Sequence, residues 1–290
     1  MHPKQIVEQG YNRIAEQYRA WASGVRVEER ARYTAFLLEK LPPGAEVLEL
    51  GSGAGLPTTR QLAEKFKVTG VDISARQIML ARRSVPAARF IRADMTQLEF
   101  PPASFDAVTA FYSISHVPRA EHSRLLGAIA RWLRPGGLFA AALSAHAEEA
   151  GYEDDWLGAP MFWSGWDSAT NQRLVTEAGL HILSAREETA EEDGQPVTFL
   201  WIVAQKGRQL PPLRTGVLSG MDAERSRSGS EAEGRGAVFR PPDKKGERHD
   251  SRCNFRHRRG ARAHRGPGAA PQMGKTLRHE GPGVGGPRLQ

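Results

Sequence analysis

A single cysteine, Cys253, occurs in the 290 residues, which excludes an intramolecular disulfide and fits a reducing cytoplasm. No apolar run approaches the roughly 20 residues needed to span a bilayer. The first residues carry Glu8 and Glu16 inside their apolar pattern, unlike a signal peptide, so neither a membrane span nor export is expected. No Cys/His spacing of a metal finger occurs, and no metal site is expected. Aromatic residues are scarce at one end only. All six Trp and all five Tyr precede residue 207, leaving Phe239 and Phe255 in the last 84 residues.

The charge divides at the same place. The formal +7 combines a net −3 over residues 1–206, from 22 Lys and Arg against 25 Asp and Glu, with +10 over 207–290, from 18 against 8. Gly and Pro supply 15 and 8 of those last 84 residues without a fibrous period, a composition that cannot recover its ordering entropy by burial. Residues 207–290 are therefore expected to be a disordered basic tail, or the product of a shifted reading frame in a G+C-rich gene. Arg252, Arg256, Arg258, Arg259, Arg262 and Arg265 could pair with phosphates, so a nucleic-acid partner is expected only through this tail.

Residues 1–206 have the rhythm of an α/β domain. Ile6, Tyr11, Ile14, Tyr18 and Trp21 recur at helical spacing and predict an amphipathic cover, with a second helix over 28–41 ended by Pro42-Pro43-Gly44. Strands are predicted at 47–50, 68–71, 88–91, 105–110 and 138–143, with helices between most of them through Leu62–Ala63, 75–83 and 121–133. Residues 145–167, with Tyr152, Trp156, Phe162, Trp163 and Trp166, read as an inserted loop or short helical cover. A helix at 168–178 and strands at 180–185 and 197–204 complete an open, doubly wound sheet with helices on both faces.

The first strand runs into Gly51-Ser52-Gly53-Ala54-Gly55, a spacing different from the dinucleotide fingerprint. Glycines there let the chain turn sharply and let a ligand approach the backbone at the carboxyl edge of the sheet. The second strand ends at Asp72, whose carboxylate could accept both hydroxyls of a ribose. Those features alone suit several nucleoside cofactors.

The segments VLELGSGAG (47–55), VTGVDIS (68–74), RAD (92–94), FDAVTAFYSISHVPR (105–119) and LRPGGLF (133–139) together resemble class I S-adenosylmethionine-dependent methyltransferases of the small-molecule type (methyltransferase type 11/25-like), over about residues 5–205. The resemblance implies a Rossmann-like, seven-stranded, mostly parallel sheet whose last strand is antiparallel. It also implies S-adenosylmethionine as cofactor, with its methionine part against Gly51, Ser52, Gly53 and Gly55. Glu49 would set that loop and reach the amino group through water. Asp72 would hold the ribose hydroxyls, Ile73 the adenine face, Asp94 the adenine amino group, and Met95 a backbone or apolar contact. Tyr11 and Tyr18 match positions that close over the cofactor, or else pack the helix onto the sheet.

The methyl acceptor is expected to be a small organic molecule approaching along Phe111 and Tyr112, with Trp163 and Trp166 lining its pocket or packing over the sheet edge. Residues 110–113 read Ala-Phe-Tyr-Ser, which departs from the Asn/Asp-Pro-Pro-Tyr/Phe of enzymes acting on amides in nucleic acids or proteins. His116 is the candidate general base, or a structural histidine bonded to a neighbouring loop. A nucleic-acid-binding protein acting through its tail and a noncatalytic scaffold are the competing readings. Deleting residues 207–290 separates the first: if the tail carries it, salt-dependent RNA binding in an electrophoretic shift assay is lost on deletion, and equal binding with and without the tail excludes it.

Overall fold

The computed structural model describes residues 1–192 and 194–207; the expected disordered tail, its arginines and Cys253 lie outside the described residues. The chain begins with α1 (Pro3–Ala22) and α2 (Val27–Lys40), then alternates β1 (Glu46–Leu50), α3 (Thr58–Ala63), β2 (Lys67–Asp72), α4 (Ala75–Ser84), β3 (Arg89–Arg92), β4 (Phe105–Phe111), α5 (His122–Trp132) and β5 (Leu133–Ser144). A hairpin of β6 (Glu148–Trp156) and β7 (Ala159–Gly165) follows, then α6 (Ser168–Glu177), β8 (Leu180–Glu192) and β9 (Gln195–Lys206). Seven strands form one sheet in the order β3-β2-β1-β4-β5-β9-β8. β9 runs antiparallel to both its neighbours, and the other pairings are parallel.

Period-two alternation sorts the central strands between two cores. Leu48 and Leu50 of β1 and Val108 and Ala110 of β4 pack with Leu125, Leu126 and Ile129 of α5. Val47 and Ala107 turn the other way and pack with Tyr33, Phe36 and Leu37 of α2 and Leu62 of α3. Helices therefore cover both faces, and the near-continuous apolar reading of β1 follows from burial on both sides. Tyr33 anchors the second core by stacking flat on Trp201 of β9, 4.1 Å between ring centroids and 1° between planes.

Two expectations need correction. Residues 145–167 are neither loop nor helix but a β-hairpin, turned by Leu157 and Gly158, both at positive φ (52° and 95°), the backbone of a two-residue hairpin turn. The outer strand β6 is almost entirely exposed and acidic, which hides strand alternation. On β7, Met161 and Phe162 are buried against Val7 and Ile14 of α1. The second correction is length: β8 and β9 continue well past the predicted 180–185 and 197–204 as a paired ribbon from Thr189↔Thr198 to Glu192↔Gln195. Pairing, rather than apolar side chains, carries this polar stretch.

Gly10 explains how α1 lies so close to the hairpin. A Cβ at this position would stand 2.7 Å from the Pro160 carbonyl oxygen and 2.9 Å from Met161 Cε. The helix accepts a residue that costs about 1 kcal/mol relative to alanine and gains close packing on β7. Removing the Trp201 ring opens the second core at its largest side chain. Trp201→Ala is expected to lower stability by about 3–5 kcal/mol, read as a reduced urea midpoint with unchanged slope.

Candidate active site

The sheet reverses its winding between β1 and β4, and open sheets bind ligands outside the carboxyl ends of the strands at such a point. A cavity lies there, roofed by α1, with about 650 Å³ of empty space counted out to its mouth. Its floor comes from the residues leaving β1 (Gly51, Gly53), β2 (Asp72, Ile73), β3 (Asp94, Met95) and β4 (Phe111, Tyr112). Tyr11 and Tyr18 close it from above, and a smaller cavity continues past Tyr18 to Ser52, Glu49 and Arg30.

The glycine loop makes this space in a way its spacing alone does not reveal. The N–H groups of Gly51 and Ser52 both donate to the Val71 carbonyl, at 2.8 and 2.9 Å, and Gly53 N–H donates to Asp72 Oδ2 at 2.9 Å. These donors brace β2 instead of facing a ligand. What Gly51 supplies is the missing Cβ: at φ 76°, a Cβ would stand 2.2 Å from Ser113 Cβ. Gly55 serves packing, since it lines neither cavity and faces Val85 and Phe90.

Three carboxyls meet different environments. Desolvation of the half-buried Asp72 carboxyl pushes its pKa up to about 6 against the opposing bonds from Ser74 and Gly53 N–H. Each oxygen already accepts one backbone donor and retains a lone pair for a ribose hydroxyl. Glu49 is raised further, to about 8, chiefly by burial; the Thr59 hydroxyl donates to its Oε2 at 2.5 Å and partly offsets the shift. Burial alone would raise Asp94, but Lys4 and Thr96 outweigh it and hold the carboxyl below its usual range. Lys4 Nζ donates to Asp94 Oδ2 (2.9 Å), Thr96 Oγ1 (2.6 Å) and Glu121 Oε2 (2.7 Å), pinning the start of α1 to the rim.

His116 is buried beneath Tyr11. Its Nδ1 lies 2.9 Å from the Phe162 carbonyl and its Nε2 2.8 Å from the Tyr11 hydroxyl, and burial lowers its pKa to about 4 despite the carbonyl. Both earlier alternatives therefore have footing: the ring is bonded to a neighbouring element, and it sits against the cavity. Trp163 and Trp166 do not line the cavity, contrary to the expected substrate pocket. Trp163 packs on His116 (4.4 Å between ring centroids) and on Trp156, whereas Trp166 donates to the Arg119 carbonyl and lies under the Arg119 guanidinium. Phe111 and Tyr112 do line it, with Tyr112 held at φ 61° and its ring facing Arg26 and Arg30.

Sequence reasoning missed Gln77, Arg30 and Lys4. Gln77 is wholly buried on the first turn of α4 and lines the cavity, yet neither of its amide atoms has a hydrogen-bond partner. Ser52 Oγ and Tyr112 OH are likewise buried without partners at the cavity walls. Orphaned buried donors and acceptors of this kind cost about 1–3 kcal/mol each unless a ligand meets them, so this site fits a polar nucleoside and amino-acid group better than an apolar one.

The profile of the family described as a methyltransferase domain matches residues 47–137, the stretch that carries this floor. Over that stretch the chain is similar to methyltransferase domains. Among methyltransferases it is 36% identical over 186 residues to the 2-methyl-6-phytyl-1,4-hydroquinone methyltransferase of Synechocystis, covering 62% of this chain and 57% of that one. It is 37% identical over 122 residues to the 27-O-demethylrifamycin SV methyltransferase of Amycolatopsis mediterranei, covering 39% and 44%. The chain spans about half the length of the curated relatives it matches. The crystal structure of the [4+2]-cyclase SpnF shares the fold at 18% identity and a TM-score of 0.56, over 70% of this chain and 95% of that one. Asp72, Asp94, Ile73 and Met95 line the main cavity together, while Glu49, Ser52 and Arg30 line the smaller one.

The raised Glu49 pKa gives a proton count. At pH 7 this carboxyl is mostly protonated in the ligand-free protein, and an ammonium bound beside it favours the ionised form. Binding of S-adenosylhomocysteine at pH 7 is expected to release a proton, seen as a dependence of calorimetric enthalpy on buffer ionisation enthalpy, and Glu49→Gln should remove that dependence. In the free protein the same shift works against folding as pH rises from about 4.5 to about 8, because the folded state there holds a proton that the unfolded state has lost.

Proposed function

We propose that this protein transfers the methyl group of S-adenosylmethionine to a nucleophilic atom of a small organic acceptor. One observation carries the reading: the cavity at the switch point brings together an acceptor pair for a ribose at Asp72, a rim carboxylate and apolar wall for adenine at Asp94, Met95 and Ile73, and the unpartnered amide of Gln77. When bound, the cofactor supplies a methyl group already activated on a sulfonium.

The chain's own residues then have a limited task. Asp72 orients the ribose, Arg30 faces the carboxylate of the amino-acid part, and Phe111 and Tyr112 form the wall along which the acceptor enters. The roof of α1, resting on the β6–β7 hairpin, excludes water and restricts entry to a compact molecule. A hydroquinone is named in one relative and a rifamycin in another, which supports a small organic acceptor as the class. The cyclase with the same fold shows why chemistry has to be argued from the site.

Asp72→Asn can keep the bond from Gly53 N–H on its amide oxygen but turns its NH2 toward Ser74 N–H, and it removes the charge that would hold two hydroxyls. It is expected to weaken S-adenosylhomocysteine binding about 10- to 100-fold, the effect of losing about 1.5–3 kcal/mol of charge-assisted hydrogen bonding. Titration calorimetry reads the affinity, and circular dichroism controls for folding. Unchanged affinity would remove Asp72 from the cofactor site, and methyl transfer confined to protein or RNA in an acceptor screen would overturn the small-molecule reading.

A further inference from the structure

The Tyr11–His116 pair has a direction that its end point fixes. The Phe162 carbonyl can only accept, so His116 Nδ1 carries the hydrogen in that bond. Burial keeps the ring neutral, which leaves Nε2 with a bare lone pair, and the Tyr11 hydroxyl 2.8 Å away must be the donor to it. The Tyr18 ring stands edge-on to the Tyr11 ring, 5.0 Å between centroids. With its only hydrogen spent on His116, the Tyr11 oxygen is left as an acceptor, and Tyr11 lines the cavity.

We propose that Tyr11 accepts the proton of a neutral hydroxyl acceptor, phenolic or enolic, while passing its own proton to His116, so that the acceptor is deprotonated as it is methylated. The inference rests on the methyl-transfer reading and names the acceptor class for it. An acceptor that needs this relay carries a proton on its nucleophilic atom; an anion or a carbon nucleophile with no X–H bond has no use for it. Aromatic walls at Phe111, Tyr112 and Tyr18 favour a flat acceptor.

The step balances. The oxygen of the acceptor forms a bond to the methyl carbon, the S–CH3 bond breaks, and its electron pair stays on sulfur, which becomes a neutral thioether. The acceptor proton moves to Tyr11, and the Tyr11 proton moves to His116 Nε2. One positive charge is present before, on sulfonium, and one after, on imidazolium. A ring that resists protonation in the free protein therefore gains its charge as a neighbouring charge disappears. Tyr11 is the residue that touches the acceptor; His116 acts through it as a positioning and proton-holding group.

Two variants and two phenols test this in the full chain. Tyr11→Phe deletes the relay atom. His116→Gln keeps an acceptor for Tyr11 and a donor for Phe162 but no basic nitrogen. The probes are 4-methoxyphenol, un-ionised at pH 7, and pentafluorophenol, ionised at pH 7, with formation of S-adenosylhomocysteine as readout. Tyr11→Phe and His116→Gln are each expected to lower kcat on the un-ionised phenol about 100-fold or more with KM little changed, and to leave the ionised phenol within about threefold.

A readout independent of turnover is the side-chain ¹⁵N spectrum. His116 should show a protonated Nδ1 and an unprotonated Nε2, and the Nε2 signal should move in Tyr11→Phe. A protonated Nε2, an unmoved signal, equal losses on both phenols, no loss on either, or no turnover of either by protein that binds S-adenosylhomocysteine would each overturn the relay. Failure of wild-type protein to bind S-adenosylhomocysteine would instead overturn the cofactor reading beneath it, and the relay with it.

Discussion

The site depends on how closely two loops pass each other where they leave β1 and β4. Gly51 and Ser113 are so near that a single methyl group between them could not fit, and Ser113 fixes the approach by donating to the Leu50 carbonyl at 2.7 Å. From this contact the first loop is thrown outward past Asp72, and the second places Phe111, Tyr112 and His116 along the opposite wall.

Around that contact, burial acts on ionisable groups in opposite directions. Glu49 and Asp72 are driven toward their neutral acids, and His116 is driven toward its neutral base, so the ligand-free site carries less charge than its residue list suggests. Asp94 is the exception because Lys4 reaches it from α1. Positive charge brought in by a cofactor would thus meet carboxyls able to ionise in response, on a wall already held rigid by backbone bonds.

Much of this was legible in the amino-acid order. β1 to β5 and their helices announce themselves through short apolar runs ended by Gly or Asp, and Gly51, Gly53, Asp72, Asp94 and Phe111 all arrive at one cavity. The hairpin was hidden because β6 has no buried face to write an alternation into the sequence, and its turn uses Leu157 at a φ that leucine seldom adopts. Lys4, Arg30 and Gln77 were hidden for another reason: each lies within an ordinary helical pattern, and only packing against distant parts of the chain, 90 to 117 residues away for Lys4, reveals what it faces. Of the two readings of Trp163 and Trp166, pocket wall or packing, the rings take the second and support the residues that form the wall.

The strands β6 and β7 pair as strands only with each other, outside the seven-stranded sheet, yet α1 rests on them through Gly10, Val7 and Ile14. Floor and roof therefore have separate ancestries of constraint. The floor is tied to strand order and tolerates little change, but the roof hangs from one side branch of the chain between β5 and α6. Exchange of rings along that branch can therefore alter what lies over the cavity without altering the strand order that builds its floor.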